Sequence, residues 1–374
     1  MNWTTTWANA TSRNDRRAEN YAKNVTLRYP VYNALSGESI RLTFSNLCGE
    51  EDVVLSRVTF AKTVSGNKID AETLIDVTFS GEECVTIPVG KEVSSDEMDF
   101  AVEKGFYTVS VYLKEYTSMN STVLISGPLS KGFFALGDET RAESLDFELV
   151  KGTNWVYFLN RLDVRTKEDK KGIICFGDSI TAQAWPDYFA KKTERPVYRR
   201  AVCGTRILRE YSCVNYASYG IRGDKRFYPE VSSCQNADTV IIQHGINDII
   251  HPVGAEVNPY RPWSDLPTAE ELIEGTKAYI RTARELGLKV YLGTLLPIGG
   301  WRTDAPFREE LRVRFNEWMR TTDLVDGVID FDRLLADPNR PAYFQSGYDS
   351  GDHLHPSAAA YEAMADEAYR ILSE

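Results

Sequence analysis

Two rhythms of apolar and polar positions divide this chain. In the first, Arg41-Leu42-Thr43-Phe44, Leu74-Ile75-Asp76-Val77-Thr78-Phe79 and Tyr107-Thr108-Val109-Ser110-Val111-Tyr112-Leu113 alternate or run together as β-branched and aromatic residues. Gly, Ser, Asn or Asp sets each of them off, which is strand punctuation. No helical spacing separates them, so the strands pair antiparallel and the region reads as an all-β sandwich or jelly roll. The charged run Arg165-Thr166-Lys167-Glu168-Asp169-Lys170-Lys171 interrupts this pattern as a solvated connection. It divides the chain into a β-domain, residues 1–164, and a second domain, residues 165–374.

From Gly172 the rhythm becomes strand alternating with helix. Ile173–Phe176, Thr239–Gln243, Val290–Leu295 and Val328–Phe331 are short apolar runs that predict buried strands. Ala269–Leu286, Pro306–Arg320 and Pro356–Leu372 carry helical spacing, with Thr268 and Ser357 near the starts and Gly287 just past an end. That alternation predicts an α/β domain with a parallel sheet covered by helices. Ligands are then expected beyond the carboxyl ends of its strands. The Pro-rich loop Val253–Pro267, with Tyr260 and Trp263, is long for a connection and is a candidate wall of a site.

Composition adds bounds. With 374 residues and 43% apolar positions the chain is globular and long enough for two cores. A net charge of −11 argues against nucleic acid and anionic membrane surfaces as partners. No stretch approaches the ~20 apolar residues of a membrane span. The N-terminus, Met1-Asn2-Trp3-Thr4-Thr5-Thr6-Trp7, lacks a basic segment followed by an apolar run, so a cytoplasmic location is expected. Cysteines 48, 84, 175, 203, 213 and 234 form no Cys-x-x-Cys pair and are expected to be reduced, mostly buried side chains. With 4 histidines and no cluster at ligand spacing, no metal is expected. Whether the chain assembles into a homo-oligomer is left open.

Candidate chemistry centres on Ile173-Ile174-Cys175-Phe176-Gly177-Asp178-Ser179-Ile180-Thr181. A buried strand ends in Gly-Asp-Ser and helix-compatible sequence follows, which puts a serine hydroxyl and its own amide at a helix N-terminus. Unpaired N–H groups there favour developing negative charge. Three further segments fall near predicted strand or helix ends: Ala201-Val202-Cys203-Gly204-Thr205-Arg206, Gly245-Ile246-Asn247-Asp248 and Asp352-His353-Leu354-His355-Pro356. Acyl transfer needs a nucleophile, a base, an acid that orients the base, and donors for the oxyanion. Ser179 suits the first role, His355 the second and Asp352 the third. Gly204 permits close approach to a backbone N–H, Asn247 offers a side-chain amide, and the Ser179 N–H completes the donor set.

Each residue also has a plainer reading. Ser179 and Asp178 suit helix caps, Asn247 suits a turn brace, and Asp248 suits a partner for loop amides. His353 competes with His355, since a spacing of two turns extended side chains to opposite sides. His244 and His251 read as satisfied polar residues. Cys203 reads as a packed thiol with no base placed for it. Arg206 is equally suited to a polar substrate or to a salt bridge on the rim. Trp185, Trp263 and Trp301 suit either a sugar platform or ordinary packing.

The four segments resemble the sequence blocks of the SGNH/GDSL hydrolase superfamily. By motif position Ser179 matches the nucleophile, Gly204 and Asn247 the oxyanion residues, and Asp352 and His355 the Asp-x-x-His pair; the Pro after His355 favours it over His353. Trp155–Leu159, Thr294–Gly300 and Tyr348–Pro356 extend the likeness to a bacterial subgroup with an N-terminal β-sandwich. Arg199 stands where the second block usually opens with Asn, and Cys203 where Ser or Gly is frequent. The resemblance implies a flavodoxin-like three-layer α/β/α domain and a cofactor-free serine esterase with Ser179, Asp352 and His355 as triad. The substrate it implies is a small-molecule or oligosaccharide ester, most simply an acetylated sugar, with Arg206, Trp263 and Trp301 as candidate contacts. An acyltransferase, a short-chain lipase or thioesterase, and a non-catalytic sugar-binding protein are the alternatives.

Overall fold

The computed structural model describes residues 1–13, 20–145, 151–211, 219–253 and 262–374. They form two compact units, Met1–Gly172 with Glu194–Tyr198, and Ile173–Thr193 with Arg199–Glu374. Cys213, Tyr260 and most of the Val253–Pro267 loop lie outside the described residues.

The main strands of the first unit are β1 (Asn2–Ala8), β2 (Val25–Asn33), β3 (Gly37–Ser45), β4 (Arg57–Ser65), β5 (Gly105–Leu113), β6 (Gly132–Leu136) and β7 (Leu159–Thr166). One sheet runs β1-β7-β3, with Glu92–Ser94 and Met98–Val102 both pairing on β3. The other runs β6-β2-β5-β4. Every pairing among these strands is antiparallel. The sheets meet through aromatic rings: Phe60 of β4 stacks on Tyr107 of β5 at 5.4 Å, and Phe100 stands edge-on to both at 5.0 and 5.9 Å. The run Leu74–Phe79 departs from its expected strand. Only Ile75–Asp76 pairs, because Asp70 caps a short 3-10 turn over Ala71–Thr73 and Phe79 folds back on Glu82. Within Trp155–Leu159 the chain bends at Phe158, which is buried with φ +62° between the strand Trp155–Tyr157 and β7.

The second unit alternates strand and helix: β8 (Gly172–Gly177), α1 (Ser179–Ala182), α2 (Trp185–Lys192), β9 (Val197–Ala201), α3 (Gly223–Ser232), β10 (Ala237–Gln243) and α4 (Ile246–Ile250). Then come α5 (Ala269–Glu285), β11 (Lys289–Gly293), α6 (Pro306–Thr321), β12 (Gly327–Ile329), α7 (Phe331–Leu335) and α8 (Ala358–Ser373). The five strands form one parallel sheet in the order β9-β8-β10-β11-β12. Counted along the chain this is the flavodoxin-like order, whose direction reverses between β8 and β10.

β8 is buried along its whole length because both faces are covered. On one face Phe176 meets Phe227 of α3 at 4.9 Å and Tyr279 of α5 at 5.4 Å. In the helical layer of α2, α7 and α8, Trp185 lies on Phe331 at 5.7 Å. Helix ends follow the local chemistry. Thr268 and Glu271 form a reciprocal capping box, the Ser357 hydroxyl accepts from Ala360 N–H, and Gly287 closes α5 at φ +76°. The expected strand Val328–Phe331 stops at Ile329, because the Asp330 carboxylate accepts the Arg333 N–H and turns Phe331–Leu335 into helix. Among the described residues no helix is long and apolar enough to cross a membrane.

Candidate active site

The turn that carries Ser179 depends on a missing side chain. A Cβ at Gly177 would lie 2.3 Å from the Gln243 carbonyl oxygen, so only glycine lets the ends of β8 and β10 come this close. Asp178 follows, with no exposed surface, and its Oδ1 accepts the Ile180 N–H at 3.1 Å as the cap of α1. Oδ2 has no hydrogen-bond partner, and burial pushes the carboxyl up to about 7. Ser179 is thereby the first residue of the helix, half-buried, and its hydroxyl donates to His355 Nε2 at 2.8 Å.

His355 reaches that point from a loop wired to itself. Asp349 and Pro356 form a β-bridge, Ser350 N–H donates to the His355 carbonyl at 3.0 Å, and Ser357 N–H donates to the Tyr348 carbonyl at 2.8 Å. Inside the loop His355 Nδ1–H donates to Asp352 Oδ2 at 2.6 Å, which leaves Nε2 as the acceptor facing the serine. Asp352 Oδ1 accepts the backbone N–H groups of Leu354 and His355 at 3.0 and 2.8 Å. Partial burial pushes the Asp352 carboxyl up, but the hydrogen bonds from the His355 ring and backbone outweigh it and hold the group below the usual carboxylate range. His353 points elsewhere: its Nδ1 pairs with Asp349 Oδ2 at 2.5 Å, and its ring stands against Gly300.

The other two segments end the strands that flank β8. Val202 N–H donates to the Gly177 carbonyl at 3.1 Å, which ties the loop after β9 to the serine turn. Gly204 follows at φ +78°, and a Cβ there would lie 2.1 Å from the Tyr219 ring. The N–H groups of Ser179 and Gly204 make no hydrogen bond among the described residues. Asn247, on α4 after β10, spends one Nδ2 hydrogen on the Thr205 carbonyl at 3.1 Å and keeps the second. Its neighbour Asp248 accepts from Ile207 and Leu208 N–H at 2.7 and 3.1 Å and so shapes the same loop. His244 is fully buried between Tyr279 Oη and the Thr205 carbonyl, and burial pushes its imidazole down to about 3, so it stays neutral.

Of the expected substrate contacts, Arg206 is drawn into the wall instead. It is 2% exposed, ion-paired with Asp265, bonded to the Arg209 and Glu210 carbonyls, and stacked over Tyr211 at 4.1 Å. Trp263 is 65% exposed and tilts against Phe307 at 5.2 Å. Trp301 is half-buried beside Gly300, with the Arg302 guanidinium over its ring at 4.7 Å. Trp185 is core and offers no platform. Cys203 is half-buried, and the described cysteines are free thiols, Cys84 among them exposed.

One supporting pair escaped the sequence reading. Arg199, buried in β9, donates to the Ala182 carbonyl at 2.9 Å and pairs with Asp187, so it fixes the chain just after Ser179. The signal was present: Tyr198-Arg199-Arg200 sets two cations in a strand where burial requires partners. Among the described residues no group of three or more His, Cys, Asp or Glu could hold a metal ion.

A hydroxyl bonded to an imidazole that a carboxylate orients, beside unpaired N–H groups, is an arrangement capable of acyl transfer. Comparison with known proteins agrees at the level of family. Among curated proteins none matches this chain. Among solved structures, a GDSL-like lipase from Bacteroides thetaiotaomicron is 20% identical and superposes with a TM-score of 0.40, covering 56% of this chain and 90% of that one. A member of the lipolytic protein G-D-S-L family from Veillonella parvula is 17% identical, with a TM-score of 0.40 over 55% of this chain and 99% of that one. A salicylyl-acyltransferase from a tetracycline biosynthetic pathway is 13% identical, with a TM-score of 0.38 over 93% of this chain and 81% of that one. The profile of the GDSL-like lipase/acylhydrolase family matches residues 175–363, just over half of the chain and the whole span from β8 into α8. The chain belongs to the GDSL-like lipase/acylhydrolase family.

Proposed function

We propose that this chain is a serine esterase that removes short acyl groups, acetyl first among them, from the hydroxyls of a carbohydrate. The observation that carries the esterase reading is the unbroken line Asp352–His355–Ser179, with bonds of 2.6 and 2.8 Å. Ser179 Oγ attacks the ester carbonyl while His355 Nε2 takes its proton, and Asp352 stabilises the imidazolium that forms. The Ser179 and Gly204 N–H groups and the second Asn247 Nδ2 hydrogen receive the oxyanion. His355 returns the proton to the leaving alkoxide, then draws one from the water that releases the acyl group. No step requires a cofactor. The carbohydrate part of the reading draws support from two tryptophans, Trp263 on the 3-10 turn before α5 and Trp301 in the loop after β11.

Hydrolysis of p-nitrophenyl acetate, butyrate and octanoate by wild type and Ser179→Ala tests the reading. Acetate preference that vanishes in the variant, with acetate release from acetylated oligosaccharides, supports it. Octanoate preference keeps the mechanism and removes the sugar assignment. Activity untouched by the substitution overturns both.

A further inference from the structure

The first unit carries a cavity of about 360 Å³ on one face of the β6-β2-β5-β4 sheet. Strand alternation puts Pro30 of β2, Phe106 of β5 and Phe133 of β6 on the face opposite the Phe60, Tyr107 and Phe100 rings. Pro30 is where the sheet opens. It has no N–H to offer a neighbour, and the pairing of β6 on β2 ends at Arg28. The chain before β6 instead turns away through a bridge between Gly127 and Ser130, and the gap becomes a hollow. Its size is within the range of small-ligand sites.

The lining is mixed in a specific way. Phe106, Phe133 and Pro30 supply flat apolar surface, and Phe106 is steadied edge-on by Tyr32 at 5.4 Å. On the rim Ser65 presents an exposed hydroxyl, and Lys131 presents an ammonium that makes no ion pair among the described residues. In a chain of net charge −11, an unpaired cation beside two half-buried aromatic rings is a recognition feature for an anion with an apolar face. Sugars present C–H faces to aromatic rings and hydroxyl edges to polar side chains, and a carboxylate on the ring pairs with an ammonium.

We propose that this cavity is a second binding site, for a sugar unit that carries a carboxylate, such as the uronic acid residue of an oligosaccharide. All its lining residues belong to the first unit, and the proposal does not rest on the esterase reading. Its test is calorimetric titration of the full chain, as the Ser179→Ala variant so that nothing turns over. The probes are a trimer of galacturonic acid, the corresponding neutral galactose trimer, and octanoate. The acidic trimer binds, Lys131→Ala weakens it on the order of tenfold, and Lys131→Arg restores it. Ser65→Glu, which sets a like charge in the hollow, abolishes binding. In an otherwise wild-type background Lys131→Ala leaves hydrolysis of p-nitrophenyl acetate unchanged. Equal binding of the neutral trimer, tighter binding of octanoate, indifference to Lys131→Ala, or no binding at about 10 mM acidic trimer each overturns the proposal.

Discussion

Asp352 grips His355 at two points: Oδ2 takes the ring Nδ1–H at 2.6 Å and Oδ1 takes the backbone N–H at 2.8 Å. One carboxylate three residues upstream thus sets both the tautomer of the imidazole and the path of its main chain. In Asp352→Asn an amide can still meet the backbone N–H but no longer accepts the ring proton and orients it equally well. On the measure of other triads kcat falls about 10⁴-fold, while circular dichroism stays close to wild type. A loss below tenfold would show that the carboxylate has only a folding role.

The two histidines of the loop separate cleanly by their bonds. His355→Ala removes the acceptor of the Ser179 proton and lowers kcat/KM on the order of 10⁴-fold or more. Combined with Ser179→Ala it adds little, since the two act as a unit. His353 occupies the left-handed region at φ +63°, so His353→Gly relieves strain while losing the bond to Asp349. Turnover stays within a few-fold. Steady-state kinetics on the three variants decides it, and equal losses for His353 and His355 would reverse the assignment.

The proposed oxyanion donors make different demands on the fold. Asn247→Ala removes one donor and lowers kcat about 10²- to 10³-fold with little change in KM. Gly204→Ala is worse placed, because φ +78° and the Tyr219 ring both oppose a methyl group. It lowers Tm as well as kcat. Chemical denaturation beside kinetics separates the two effects, and a Gly204→Ala protein of wild-type stability contradicts the close approach of the Tyr219 ring to Gly204.

Stability has a pH dependence whose sign follows from buried acids. Asp178 and Asp248 sit at about 7 and about 6 in the folded chain, against 3.8 for an ordinary Asp, because burial favours the neutral carboxyl. Between those values the folded protein keeps protons that the unfolded chain has released, so these two groups lose their stabilising share as pH rises from about 4 to about 7. Asp352, held low by His355, works the other way and withdraws its share as pH falls below the ordinary range. Asp178→Asn keeps the helix cap and removes one titrating group, so Tm across this window varies less than in wild type. An unchanged slope in thermal melts counts against the buried-acid account.

The sequence revealed most where chemistry is punctuated by residues with few alternatives. Gly177-Asp178-Ser179 marked a strand ending in a close turn, and Thr268, Ser357 and Gly287 marked helix ends that the backbone confirms. The Asp352–His355 spacing suggested a local pair because three residues allow a carboxylate to fold back. What remained hidden was tertiary. Arg206 lies two residues from Gly204 in sequence, yet Asp265, from a distant segment, draws its guanidinium inward. Phe331 looked like the end of an apolar strand because Asp330 as a helix cap is visible only when its partner Arg333 N–H is placed. Leu74–Phe79 has strand composition, but its neighbours offer a ladder only to Ile75 and Asp76. Periodicity reports which face is buried, not against what.

The bridge between Asp349 and Pro356 has a consequence for how such a site can change over time. Asp352 and His355 share one short segment that carries its own hydrogen bonds, so their mutual geometry is inherited as a cassette. Residues elsewhere in the sheet can vary, and loops at the strand ends can lengthen or shrink, without disturbing the hydrogen bonds between Asp352 and His355. What such drift alters is the placement of the whole cassette against Ser179, a single coordinate on which reactivity can be tuned while substrate choice is rewritten around it.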